Sequence, residues 1–168
     1  PKELIMMHKK QLVIGIDIGG TNTVFGVVDE KGNCLAQNSI KTAAYPLVSE
    51  FVAVVSDEIK ALINTHDQCE VIGMGIGAPN GNYYSGTIDF APNLKWDGVV
   101  HLVDLFKEHF NFPIKLTNDA NAAAIGERIY GAAKGVDDFV MVTLGTGLGS
   151  GFVVNGNLVY GHDGFAGE

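Results

Sequence analysis

Little in this sequence serves cross-linking, membrane insertion or nucleic-acid binding. Its two cysteines, Cys34 and Cys69, lie far apart and neither has a partner at CxxC spacing. That argues against a disulfide framework and a cysteine-based zinc site, and a reducing cytoplasm is the expected compartment. Lysine and arginine number 11 against 19 aspartates and glutamates, a net charge of −8, and no basic run occurs. A nucleic-acid partner is therefore not expected. No apolar run is long enough to span a bilayer, and Pro1 to Lys10 lack the apolar core of a signal peptide, so no membrane partner is expected either. The missing initiator methionine points to a trimmed or engineered start. The five histidines are scattered; most read as surface positions, and His162 lies near the site loop in sequence.

Hydrophobic residues make up 46% of the chain, enough for a substantial core, and glycine is abundant at 22 residues. The organising stretch is Leu12 to Asp29, LVIGIDIGGTNTVFGVVD. It reads as strand, tight glycine turn and strand, with Asp17 at the end of a buried β-branched run and Gly19, Gly20 and Thr21 directly after it. Backbone N–H groups at such a turn can approach an anion closely, because glycine has no Cβ to hold a phosphate away. The acid beside it suits a magnesium ion carried on a nucleotide. Neither GxGxxG nor GxxxxGK[ST] occurs in this turn, and a plain hairpin with a solvated aspartate is the competing reading.

Asn33 to Thr42 reads as a third strand, Leu47 to Asn64 as an amphipathic helix, and Glu70 to Gly77 as a buried strand ending in glycine. Ala78 to Asp97 reads as a long loop, a length that is usually functional, with Trp96 expected to pack beneath it. Val99 to Phe110 is expected to be a second helix, Phe112 to Thr117 a strand, and Asn118 the start of a third helix. From Asp138 the apolar pattern returns to strands, FVMVTLG, SGFVVNG and NLVYG, with Asn155-Gly156 a hairpin signal.

Two further stretches carry chemistry. In LTNDANAAAIGE, Asn118 or Asp119 could simply cap the helix. Asp119 also lies beyond the carboxyl end of a strand, where open α/β sheets place ligands, and a carboxylate there can take a proton from an attacking hydroxyl. General base action of this kind contributes about 10²–10⁴-fold. Leu144 to Gly151, LGTGLGSG, is a second glycine loop, either a flexible turn or the opposite wall of a polyphosphate cradle.

DIGGTN at 17–22, GIGAPN at 75–80, APNLKW at 91–96, TNDANAAAIGE at 117–127, LGTGLGSG at 144–151 and GFAGE at 164–168 together resemble the ROK family of sugar kinases, and its bacterial glucokinases most. The resemblance implies an α/β actin-like ATPase (RNase H-like) lobe, β-β-β-α-β-α-β-α, at residues 1–134. The opening strands of a truncated second lobe would follow at 135–168. It implies ATP-dependent phosphorylation of a hexose, glucose first, with ATP and Mg²⁺ as cofactors. Asp119 would be the catalytic base; Asn80, Asn93, Asn118 and Glu168 would bind the sugar. Gly19, Gly20, Thr21, Asn22, Thr146 and Gly147 would hold the nucleotide, and Asp17 would position Mg²⁺ through water. Many family members have lysine where this chain has Asn22. The family continues past Glu168 with a histidine and then a cysteine-rich segment, so structural zinc is expected only in that missing part, and the full-length protein is expected to be a homodimer. This portion alone is expected to be weak or inactive as a kinase. The rival substrates are N-acetylhexosamines and fructose. A sugar-responsive repressor would need a helix-turn-helix ahead of the first strand, for which Pro1 to Gln11 is too short. An actin-like ATPase would leave APNLKW and Asn118-Asp119 without a sugar.

Overall fold

The computed structural model describes residues 9–145 and 147–167. Strands β1 (Lys10–Ile18), β2 (Thr23–Asp29) and β3 (Cys34–Ile40) form an antiparallel meander. Helix α1 (Val48–Asn64) then carries the chain back so that β4 (Cys69–Ala78) runs parallel to β1. Three short strands follow, β5 (Gly81–Asn82), β6 (Thr87–Asp89) and β7 (Val99–Val100), paired antiparallel as a small sheet of their own. After α2 (Leu102–Lys107), strand β8 (Ile114–Asn118) joins β4 in parallel and leads directly into α3 (Asp119–Tyr130). Finally β9 (Phe139–Leu144), β10 (Leu148–Val154) and β11 (Asn157–Leu158) make a second antiparallel sheet. The main sheet has the order β3-β2-β1-β4-β8.

Alternation along the strands decides which face is core. Leu12, Ile14, Ile16 and Ile18 of β1 are buried on one face, together with Phe25 and Val27, Met74 and Ile76, and Ile114 and Leu116 from the neighbouring strands. They meet Phe51, Val52, Val55 and Ile59 of α1, spaced to lie along one helix face, and Leu102, Val103 and Phe106 of α2. Trp96 is buried as expected: its ring lies 4.7 Å from that of Phe51, and its Nε1 donates to the Tyr45 carbonyl at 3.1 Å.

The opposite face of the same sheet carries few side chains. Gly15, Gly73, Gly75 and Gly77 sit there between Val13, Val24 and Asp17, and α3 lies across one end of it. Helix α3 in turn packs against β10 through small residues. A Cβ placed on Gly151 would lie 2.7 Å from that of Ala124, and one on Gly149 would lie 3.1 Å from that of Ala120. The helix is thus held between the main sheet and the second sheet.

Two expectations are corrected. The stretch from Ala78 to Asp97 is not a loop throughout, because β5 and β6 lie in it. The helix expected over Val99 to Phe110 is the six-residue α2, since Val100 is drawn into pairing with Ile88. The Asn155-Gly156 turn forms as expected, with φ of 50° and 73°, the left-handed pair a tight hairpin requires. On the second sheet Val140, Val142, Leu144, Leu148 and Phe152 are exposed, a contiguous apolar face larger than isolated surface residues make. Among the described residues no helix is long and apolar enough to cross a membrane.

Candidate active site

A cleft of about 1280 Å³ opens between the bare face of the main sheet, α3 and the β9–β10 turn. Strand register brings its charged groups together. Asp17 at the end of β1 pairs with Gly77 of β4, and Gly77 pairs with Thr117 of β8. Adjacent strands lie about 4.8 Å apart, so Asp17 and Thr117 are separated by about 10 Å across a residue without a side chain. Asp119 follows two residues later, its Cα 3.6 Å from where a Cβ on Gly77 would be. Burial, and then the negative charge of Asp119, push the Asp17 carboxyl above its usual range. The two acids therefore sense one another across the cleft floor.

Asn118 caps α3. Its Oδ1 accepts from the amides of Ala120 at 2.8 Å and Asn121 at 3.1 Å. The cap places Asp119 in the first helical turn, at the positive end of the helix dipole, with its Oδ1 accepting from the Ala120 amide at 2.8 Å. Asp119 itself is exposed and lines the cleft.

The glycine turn after β1 closes with Gly19 N–H donating to the Asn22 carbonyl at 2.9 Å. Gly20 presses against a second loop: a Cβ there would lie 2.5 Å from the Asn93 carbonyl oxygen. Asn80 stands at φ 50° and donates through Nδ2 to the carbonyls of Asp89 at 2.8 Å and Phe90 at 3.3 Å, holding its own loop. Asp17, Gly19, Gly20, Asn80, Asn93, Asn118, Asp119 and Gly147 all line the one cleft. Thr21 and Asn22 do not: both sit exposed on the turn. Thr146 and Glu168 lie outside the described residues.

Sequence reasoning missed Lys115, Thr117 and Tyr160, which line the cleft together with Tyr83. Lys115 and Thr117 alternate with the core residues Ile114 and Leu116, and that period of two was the available signal. Lys115 Nζ sits 4.9 Å from the centroid of the Tyr83 ring, and Tyr83 stacks on Tyr160 at 4.1 Å. Burial pushes the Tyr160 hydroxyl up to about 12. Thr117 Oγ1 is buried without a hydrogen-bond partner among the described residues.

The cleft's metal-binding potential is modest. No group of three or more His, Cys, Asp or Glu side chains gathers among the described residues. Asp17 and Asp119 are the two cleft carboxylates close enough to influence one another, and a pair of that kind could hold a metal that keeps several waters rather than one caged by protein alone.

Residues 13–168 match the model of the ROK family. The chain belongs to the ROK family. Among ROK relatives it is 39% identical over 158 residues to the glucokinase of Streptomyces coelicolor, covering 94% of this chain and 48% of that protein. It is 41% identical over 99 residues to the xylose repressor of Caldicellulosiruptor bescii, covering 58% of this chain and 25% of the repressor. The crystal structure of a ROK family glucokinase from Streptomyces griseus, in complex with glucose and AMPPNP, superimposes with a TM-score of 0.78 at 39% identity, covering 94% of this chain and 49% of that one. The chain spans about half the length of the curated relatives it matches. Its fold is the mixed α/β, actin-like architecture of ROK sugar kinases, seen here in its N-terminal part.

Proposed function

We propose that this chain is the sugar-binding and catalytic half of an ATP-dependent hexose kinase, with glucose as substrate and Asp119 as general base. The observation that carries the reading is the placement of Asp119. It stands at the capped N-terminus of α3, exposed in the cleft, across bare Gly77 from Asp17. The streptomycete glucokinase likenesses at 39% identity support the choice of glucose over N-acetylhexosamines or fructose.

In this mechanism the hexose hydroxyl gives its proton to an oxygen of Asp119 as its own oxygen bonds to the γ-phosphorus, and ADP leaves with the electron pair of the broken bond. Phosphoryl transfer asks the protein mainly for alignment and charge neutralisation. The amides of Asn80, Asn93 and Asn118 supply neutral donors and acceptors suited to sugar hydroxyls. The glycine turns at 19–20 and 145–147 admit the phosphate chain. Asp17 and Asp119 would hold magnesium through water, and when bound the ion neutralises charge on the phosphates. Residues 135–168 are the opening strands of a second lobe in this reading, and their exposed apolar face is where the remainder of that lobe would pack.

The test uses the full-length protein in a coupled assay with ATP and a sugar panel. Glucose should give the highest kcat/KM, and Asp119→Asn should lower kcat by about 10²–10⁴-fold, with the sugar KM changed far less. An Asp119→Asn variant as fast as the parent refutes the assignment. A sugar-responsive regulator is the second reading, favoured by the xylose repressor likeness. It expects sugar binding without turnover.

A further inference from the structure

Asn82 does more than its place in a two-residue strand requires. Its side chain is buried, 7% exposed, and all its hydrogen-bonding capacity is directed. Oδ1 accepts from the amides of Tyr84 at 3.0 Å and Ser85 at 3.4 Å, which shapes the turn after β5. Nδ2 donates to the carbonyl of Asp163 at 2.9 Å, a bond spanning 81 residues of chain. The partner segment is built to receive it. Gly164 has φ of 93°, and a Cβ there would lie 2.6 Å from Asn82 Oδ1, so the backbone meets the carboxamide with no room for a side chain. Around this bond, Tyr84 Oη donates to the Gly161 carbonyl at 2.9 Å and Tyr83 stacks on Tyr160.

These contacts join two rims of the cleft. One carries Asn80, Tyr83 and Asn93; the other begins at Tyr160. That end of the cleft presents carboxamides and aromatic rings, with the Lys115 ammonium over Tyr83, a set of hydrogen-bonding groups and ring faces suited to a polyhydroxylated ligand. Gly145 and Gly147, which carry no side chains and line the far end of the cleft, leave room there for an anion.

We propose that Asn82 is a positioning residue that locks the 161–167 segment onto the 80–93 rim and thereby sets affinity for the hexose and not for the nucleotide. The proposal rests on the kinase reading for its ligand and on the geometry above for the lock. Asn82→Asp keeps the shape and the acceptor for Tyr84 and Ser85, but opposes an oxygen to the Asp163 carbonyl and to the Asp89 carboxylate, to which Asn82 Nδ2 donates at 3.5 Å. Asn82→Ser removes the bond without adding charge, and should the charged variant fold poorly it carries the test.

In the full-length protein, either variant should raise the glucose KM by about tenfold or more while the ATP KM stays within about twofold. Hydrogen exchange should quicken across 160–167 and stay unchanged in α1. A glucose KM within about twofold of the parent, or glucose and ATP KM values rising in step, overturns the proposal. If the parent phosphorylates no hexose, the kinase reading falls separately. Exchange then decides the lock alone: faster exchange across 160–167 upholds it, and unchanged exchange overturns it.

Discussion

The seam between α3 and β10 makes a quantitative demand on Gly151. A Cβ there would meet the Cβ of Ala124 at 2.7 Å and the carbonyl oxygen of Ala120 at 3.1 Å. Carbon atoms prefer about 3.5–4.0 Å, so the gap must open by about 0.8 Å. Neither neighbour can yield by turning a side chain, because an alanine Cβ and a carbonyl are fixed to the helix backbone. Gly151→Ala must therefore move α3 or β10. Inserting a methyl into a packed site costs about 1–3 kcal/mol. Loss of glycine's freedom in the unfolded chain returns about 0.4–1 kcal/mol. Gly15→Ala isolates the difference: it makes the same chemical change in β1, where an added Cβ meets nothing within 4 Å. In urea unfolding of the full-length protein, Gly151→Ala should be about 1–3 kcal/mol less stable than Gly15→Ala. Because α3 carries Asn118 and Asp119 at its start, the same shift should lower kcat; misplacement by about 1 Å can cost about 10²-fold. Equal stability of the two variants would refute the packing argument, and a destabilised Gly151→Ala with parental kcat would separate α3 from the chemistry.

Two more outcomes concern charge. Asp17 has its carboxyl raised by burial and by Asp119, so the folded state holds its proton more tightly than the unfolded chain does. The stability this group lends is present below the unfolded value of about 4 and is lost as pH rises through the folded value. Asp17→Asn should thus melt higher than the parent at pH 7.5, with the advantage vanishing below pH of about 4, while activity is lost; a lower melting temperature at pH 7.5 contradicts the electrostatic account. Asp29 is the opposite case: the backbone amide of Asn33, at 2.9 Å, then its side chain, with Lys10 and the Lys31 amide behind them, hold its carboxyl well below the usual range. That stability is present above pH of about 4 and lost as pH falls toward the folded value, so the deficit of Asp29→Asn in a thermal melt should be largest near neutrality and shrink in acid, and a deficit independent of pH would be the wrong result.

Much of this was legible because it is local. The alternation of Leu12, Ile14, Ile16 and Ile18, the apolar face of α1 and the Asn155-Gly156 turn are fixed by residues within a few positions of each other. The small sheet was not legible. A two-residue strand has no period to detect, and Val100 finds Ile88 across a loop that propensity cannot see. Pairing overrode a stretch from Val99 whose apolar spacing also fits a helix. The bare cleft floor was hidden for a related reason. Gly15, Gly75 and Gly77 read separately as turn or strand-breaking glycines, and only the parallel register of β1 with β4 lines them up on one face. Asn82 and Asp163 were further still from any local pattern, being 81 residues apart.

The start of α3 shows how a structural and a chemical reading of one motif can hold together. A cap residue must keep extended backbone and turn its side chain back onto the helix amides, and Asn118 does both, at φ −59° and ψ 148°. That geometry commits Asn118 Oδ1 to Ala120 and Asn121, and it puts the next side chain at the first helical position, facing away from the core. An acid there gains from the helix dipole without being buried, so it stays available to a ligand in the cleft. Asn118 as cap therefore does not compete with Asp119 as base; it is what presents that carboxylate. Replacing the cap would be expected to blur the position of Asp119 before it unfolded the helix, since α3 is also gripped along its length by Gly149 and Gly151 of β10.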